Sequence, residues 1–186
     1  MAKTRRLNQE LVVTKAAYLA NEAGTTEGLT LTQLAQALDV RVPSLYNHVK
    51  GIAGLQRELT LLGSRQLLAQ VREASYGKVG RDALLAMAYA YRCFAHEQPG
   101  IYPLTIRAPE PDDAELSALT NEWLQLLLLV MASFNLKGDD AYHAIRGFRA
   151  LVHGFVSLET AVGFKLPLDK DESYTRLVTT FLDGLT

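Results

Sequence analysis

Residues 29–51 read LTLTQLAQALDVRVPSLYNHVKG. The spacing predicts two short helices joined by a tight turn. Thr30 and Gln33 have the interval of a capping box, in which each side chain satisfies a backbone N–H at the start of a helix. Leu31, Leu34, Leu38, Val40, Leu45 and Val49 recur at the interval that turns apolar side chains toward one core. Ala35 is small enough for two helices to cross over it. The turn calls for positive φ at residue 39, which glycine adopts without cost. Asp39 stands there instead, and aspartate tolerates that geometry better than most residues do. Pro43 is expected at the first position of the next helix, where a missing N–H is harmless. The pattern is a helix-turn-helix, a unit that lays its second helix in the major groove of DNA.

With the apolar set turned inward, Arg41, Val42, Ser44, Asn47, His48 and Lys50 face outward. Residues near the start of such a helix reach base edges. Arg41 is suited to a bidentate pair with guanine and Asn47 to one with adenine, and Ser44 lies between them. Tyr46, His48 and Lys50 are better placed for phosphates, together with Thr32 at the start of the preceding helix. Two helices at this spacing also occur as plain packing, so a helical small-molecule-binding protein or enzyme whose N-terminal helices do not touch DNA stays open at this point.

Composition narrows the class. Of 186 residues, 48% are hydrophobic and 21% charged, which is ordinary for a globular chain and excludes a disordered tail. A chain this long buries roughly 70% of its unfolded surface and needs no disulfide or metal to be stable. The net charge of −1 conceals an asymmetry: residues 1–65 hold eight Lys and Arg against five Asp and Glu, and the remainder holds eleven against fifteen. Positive charge thus accompanies the helix-turn-helix, and an acidic body follows it. The lone Cys93 has no partner for an internal bridge, which points to a reducing cytoplasm. The opening MAKTRRLNQE is basic but has no apolar segment behind it, so no secretory signal is read there. Residues 123–131, the most apolar run, cover about half of the ~20 residues that cross a bilayer. No membrane partner is expected.

Outside the central stretch, Leu and Ala recur at helical intervals and no alternating strand pattern occurs. Helices are expected over 8–24, 30–39, from Pro43, then over 52–74, 81–98, about 101–107, 114–136, 139–164 and 171–185, about nine in all. Gly24 stops the first and Pro99–Gly100 the fifth; Asp139 is expected to cap the eighth. SYGKVG (75–80) is the one plausible linker. The fold class is therefore all-α. A three-helix DNA-binding domain over 1–52 is followed by a helical regulatory and dimerisation bundle over 53–186.

From Asn8 to Arg57 the chain resembles the DNA-binding domain of the TetR family of transcriptional regulators. The resemblance lies in the LAQALDV segment, in Pro43-Ser44-Leu45-Tyr46-x-His48-Val49, and in the Lys50–Gly51 exit into a long helix. It implies phosphate contacts from Thr32, Tyr46, His48 and Lys50, and base contacts from Arg41, Ser44 and Asn47. Two positions differ: Ile52 stands where many relatives carry lysine, and Asp39 where glycine is usual. The segment GFRALVHGFVSLETAVGF (147–164) resembles the WHG-type C-terminal domain through His153–Gly154, with Leu151 and Val152 where a tryptophan is often found.

The resemblance implies a repressor that binds a palindromic operator in double-stranded DNA as a homodimer. The last two long helices would pair with those of a second copy. The residues agree, since Ile145, Phe148, Val152 and Phe155 form one apolar stripe and Leu151, Leu158 and Val162 another. Gly147 and Gly154 would let another helix come close. The resemblance also implies a small-molecule pocket in the bundle, with Met87, Tyr91, Phe94, Tyr102, Trp123, Leu127 and His153 as candidate lining, although each also reads as core. An apolar or amphipathic effector suits them. No metal or cofactor is expected: His96, His143 and His153 share no ligand spacing, and Cys93 near His96 has no second sulfur. No phosphate loop, HExxH or nucleophile elbow suggests catalysis.

Overall fold

The computed structural model describes residues 7–185. Among these residues the chain forms eight α-helices, one 3-10 helix and no strand. The helices are α1 (Gln9–Ala23), α2 (Leu31–Ala37), α3 (Val42–Leu45), α4 (Gly51–Ser75) and α5 (Gly80–Glu97). A 3-10 helix (Tyr102–Ile106) precedes α6 (Ala114–Ala132), α7 (Gly138–Thr160) and α8 (Lys170–Asp183). The all-helical architecture expected from the sequence is present. The basic residues Lys3, Arg5 and Arg6 lie outside the described residues. None of the described helices is long and apolar enough to cross a membrane.

Helix ends follow local chemistry. The Asn8 side chain accepts from Leu11 N at 2.8 Å to open α1, and Gly24 closes it at φ 69°. Asp113 caps α6 through Leu116 N, and Asp169 caps α8 through Asp171 N and Glu172 N. Several ends differ from the sequence reading. The regular part of α3 is a single turn that begins at Val42, so Pro43 is its second residue, where the N–H is still not needed. α6 stops at Ala132, because the Ser133 hydroxyl bonds back to Val130 O and Asn135 turns left-handed at φ 59°. α7 starts at Gly138 with Lys137 at its cap, which leaves Asp139 and Asp140 in the first turn opposite the helix dipole. It ends at Thr160, just before Val162 turns to φ 55°.

Two compact units divide the chain. One reaches to Gln66 and also takes in Glu97–Ala108; the other holds Leu67–His96 and the chain from Pro109 onward. The first unit thus exceeds the 1–52 stretch on which the DNA-binding motif is legible. Its core gathers Val12, Ala16 and Ala20 of α1, Leu34 of α2, Leu45 of α3, and Leu55 and Leu59 of α4. Ile101 and Leu104 join that core from far along the chain. A close backbone crossing accompanies them. A Cβ built on Gly100 would lie 2.1 Å from Ala20 O, so only glycine fits. The Asn21 side chain completes the junction: its oxygen accepts from Gly100 N at 3.0 Å and Ile101 N at 3.3 Å, and its amide donates to Gln98.

In the second unit α7 packs against α6 and α8. Ile145, Phe148, Val152 and Phe155 of α7 are buried. Gly147 admits a helix of the same chain, since its Cβ position lies 3.1 Å from the Phe181 ring of α8. Around Gly154 nothing lies within 4 Å of that position.

Candidate nucleic-acid interface

The helix-turn-helix is built as its residues dictate. Thr30 N donates to Gln33 Oε1 at 2.9 Å and Gln33 N to Thr30 Oγ1 at 3.2 Å, which is the reciprocal capping box. At the other end of α2, Asp39 takes φ 54°. Val40 N reaches Ala35 O at 3.0 Å, and Asp39 N reaches Gln36 O at 3.2 Å. These two bonds make a Schellman closure, and Val40 packs on the core as its apolar stop. Ala35 is buried, and α2 packs on both α1 and α3.

α3 is pinned by Leu45 and Val49, which are 0% and 4% exposed. His48 N and Val49 N both return to Leu45 O, at 2.9 and 3.0 Å, so the helical winding continues past Leu45. Gly51, at φ 68°, then releases the chain into α4. The residues between the two anchors are left outside. Arg41, Tyr46, Asn47 and Lys50 are exposed, Tyr46 at 60%, while Ser44 and His48 are half-buried. Arg41 is the N-terminal cap residue of α3, yet its side chain makes no capping bond and projects from the helix start. Thr32 is exposed in the first turn of α2. All seven candidate DNA-contact residues therefore stand on one unit, six of them within a ten-residue stretch. Ile52 is exposed beside them.

The candidate pocket residues are spread over several elements. Met87, Tyr91 and Phe94 line a buried face of α5, and Leu127 is buried on α6. Trp123 and His153 are half-buried. Burial, with the Arg149 charge nearby, holds the His153 imidazole below its ordinary pKa. Tyr102 belongs to the first unit, in the 3-10 helix. Of the seven, Met87 borders a cavity of about 340 Å³, whose other walls include Arg72, Lys78, Leu126 and Val130. The sequence reading overlooked these four. Their only signal was a pair of cations, Arg72 just before the 75–80 linker and Lys78 within it.

A polar cluster in the second unit was also overlooked. Arg92 donates to Glu159 through Nε at 2.9 Å and Nη2 at 2.7 Å, and Nη2 reaches Asp171 at 2.8 Å. His96 meets Glu159 at 2.9 Å. The guanidinium also sits over the rings of Tyr174 and Phe155, at 4.9 and 5.6 Å. Hydrogen bonding from Arg92 depresses the Glu159 carboxyl to about 2 and raises the guanidinium above its usual range. Tyr174, whose hydroxyl donates to Ala88 O at 2.6 Å, is pushed up by burial. The cluster ties α5, α7 and α8 together.

Known proteins place this arrangement. The model of the tetracyclin repressor-like C-terminal domain matches residues 84–181. The HTH-type transcriptional regulator YobS of Bacillus subtilis is 34% identical over 179 residues, 96% of this chain and 93% of its own length. The HTH-type transcriptional regulator Rv0681 of Mycobacterium tuberculosis is 32% identical over 186 residues, 100% of this chain and 84% of its own length. Among solved structures, a TetR variant from Acinetobacter baumannii in complex with minocycline superposes with a TM-score of 0.71. It is 20% identical and covers 96% of each chain. These relatives are regulators, which sets aside the enzymatic reading. The chain belongs to the TetR family, as a helix-turn-helix, DNA-binding transcriptional regulator.

Proposed function

We propose that the protein is a repressor that binds a palindromic operator as a homodimer and is released by a small apolar or amphipathic effector. The reading rests above all on the ridge that begins at Arg41, turned to solvent over the buried Leu45 and Val49. In this account Arg41, Ser44 and Asn47 read bases, and Thr32, Tyr46, His48 and Lys50 hold phosphates. The division of labour is a DNA reader over 1–52 and a regulatory and dimerisation domain over 53–186.

The homodimer is supported by α7. Its first apolar stripe is buried within the protomer, but Leu158 and, just beyond the end of the helix, Val162 are 53% and 62% exposed. Leu177 of α8 is exposed as well, and no side chain covers Gly154. Apolar surface left uncovered on two helices that already pack together suits a second copy. The effector reading draws on the minocycline complex of the structural neighbour. Met87, Tyr91, Phe94, Trp123, Leu127 and His153 are its candidate lining in the second unit.

The mechanism is a linkage between two equilibria. A symmetric pair grips B-DNA only when its recognition helices are about 34 Å apart. An effector that favours another separation weakens DNA binding, and DNA weakens effector binding by the same factor. A gel-shift titration with DNA from upstream of the protein's own gene tests the reading. Retardation at the mass of two protomers, with affinity falling steeply as salt rises, is expected. Retardation by one protomer, or none at low salt, contradicts it.

A further inference from the structure

We infer that the cleft where α4 ends, α5 begins and α6 passes is a binding site for a small amphipathic organic anion. Three observations in the second unit converge there. The first is shape. The cavity of about 340 Å³ is floored by Met87 and Val130, which are 0% and 7% exposed, and it falls in the range of sites that hold small ligands. A shallower groove of about 560 Å³ continues from it along α6, sharing Arg72, Leu126 and Leu129.

The second is apolar surface left in water. Tyr76, Val79 and Leu129 are 86%, 78% and 72% exposed, and all three border this one cavity. Single exposed apolar residues are unremarkable, but three around one hollow mark a surface that gains by being covered. The third is charge. Arg72 and Lys78 are the charged side chains lining the cavity, and both are cationic. The C-terminus of α4 at Ser75 and the N-terminus of α5 at Gly80 meet in the same wall with opposite dipole ends, so the two cationic side chains set the sign of the site.

Neither cation is committed elsewhere in a way that binding could not change. Arg72 pairs with Glu122 at 3.1 Å, both side chains more than half exposed, and such pairs are worth little. Lys78 Nζ donates to Ala74 O at 2.7 Å at the end of α4. A carboxylate or sulfonate between Arg72 and Lys78 would gain charge-assisted hydrogen bonds, with its apolar body resting on Met87, Val130 and Leu129. Charge selects an anion, and the floor selects one with an aromatic or branched body.

The inference goes beyond the effector reading, because it names a site and holds whether or not the occupant affects DNA. Its test therefore uses the full chain without DNA, titrated with naphthalene-2-sulfonate and, as the uncharged comparison, 2-naphthol. Arg72→Gln and Leu129→Glu change exposed side chains and leave the fold intact. Saturable binding of the sulfonate is expected, weakened about tenfold or more by each substitution, whereas 2-naphthol is affected by Leu129→Glu alone. Sedimentation of Leu129→Glu should match that of the wild-type protein. No saturation, a smaller loss in either variant, or an equal loss of both probes in Arg72→Gln overturns the inference. A change of oligomeric state in Leu129→Glu also overturns it, because the face would then belong to a second copy.

Discussion

Replacing Gly100 with alanine adds one methyl group where α1 and the 98–101 turn cross. That carbon would lie 2.1 Å from Ala20 O and 2.6 Å from Asn21 N, both backbone atoms that cannot rotate away. Ordinary contact begins near 3.4 Å, so the two segments must separate by more than an ångström. Overpacking of this kind costs about 1–3 kcal/mol. The separation also stretches the bonds that Asn21 accepts from Gly100 and Ile101, worth about 1 kcal/mol each. Together these effects predict a loss of about 3–5 kcal/mol, or on the order of 10 °C in Tm for a chain of this size. Urea unfolding followed by circular dichroism measures it. Asn21→Ala supplies the internal check: it should cost about 2 kcal/mol alone and much less in the Gly100→Ala background, where the same bonds are already lost. A Gly100→Ala protein within about 1 kcal/mol of the wild type, or fully additive losses, would refute the reasoning.

The other predictions concern the ridge, the charged cluster and assembly. Arg41→Ala should relax sequence preference at one base pair by about 1–3 kcal/mol, seen as unequal loss on cognate and random DNA in anisotropy titrations. Tyr46→Ala should weaken binding to both alike and leave its salt dependence unchanged, because a neutral hydroxyl releases no counterion; a loss confined to cognate DNA would deny it a phosphate role. Glu159 has a carboxyl depressed to about 2 in the folded protein, so its stabilisation is full above the unfolded value near 4.5 and disappears as pH falls toward 2. Glu159→Gln should therefore cost about 3 kcal/mol at pH 7 and little at pH 2, with urea midpoints of the two proteins converging across that interval. Leu158→Glu changes an exposed side chain, so protomer stability should hold within about 0.5 kcal/mol while sedimentation shifts from two copies to one.

What the sequence disclosed follows the reach of its interactions. The Thr30–Gln33 box, the left-handed Asp39 and the Leu45–Val49 anchors are settled within a few residues of themselves, so spacing alone revealed them. The outward ridge was legible for the same reason, as whatever those anchors did not use. Helix ends were harder, because Ser133 and Asn135 end α6 by local bonds that compete with an otherwise helical pattern. The junction of Asn21 with Gly100 joins residues 79 apart, and no local pattern signals such a contact. The Arg92–Glu159 pair spans 67 residues and was invisible for the same reason. Pocket lining was least legible. Met87 and Phe94 carry one apolar signature whether they pack a core or face a cavity, and only their surroundings tell which.

The central claim is that two copies of the Arg41 ridge meet duplex DNA symmetrically. Selection of sequences from random duplexes by the full-length protein, at physiological salt, tests it most directly. The account predicts two inverted half-sites whose centres lie one helical turn apart, about 10 base pairs. An enriched site without inverted symmetry, or no enrichment at all, would contradict it.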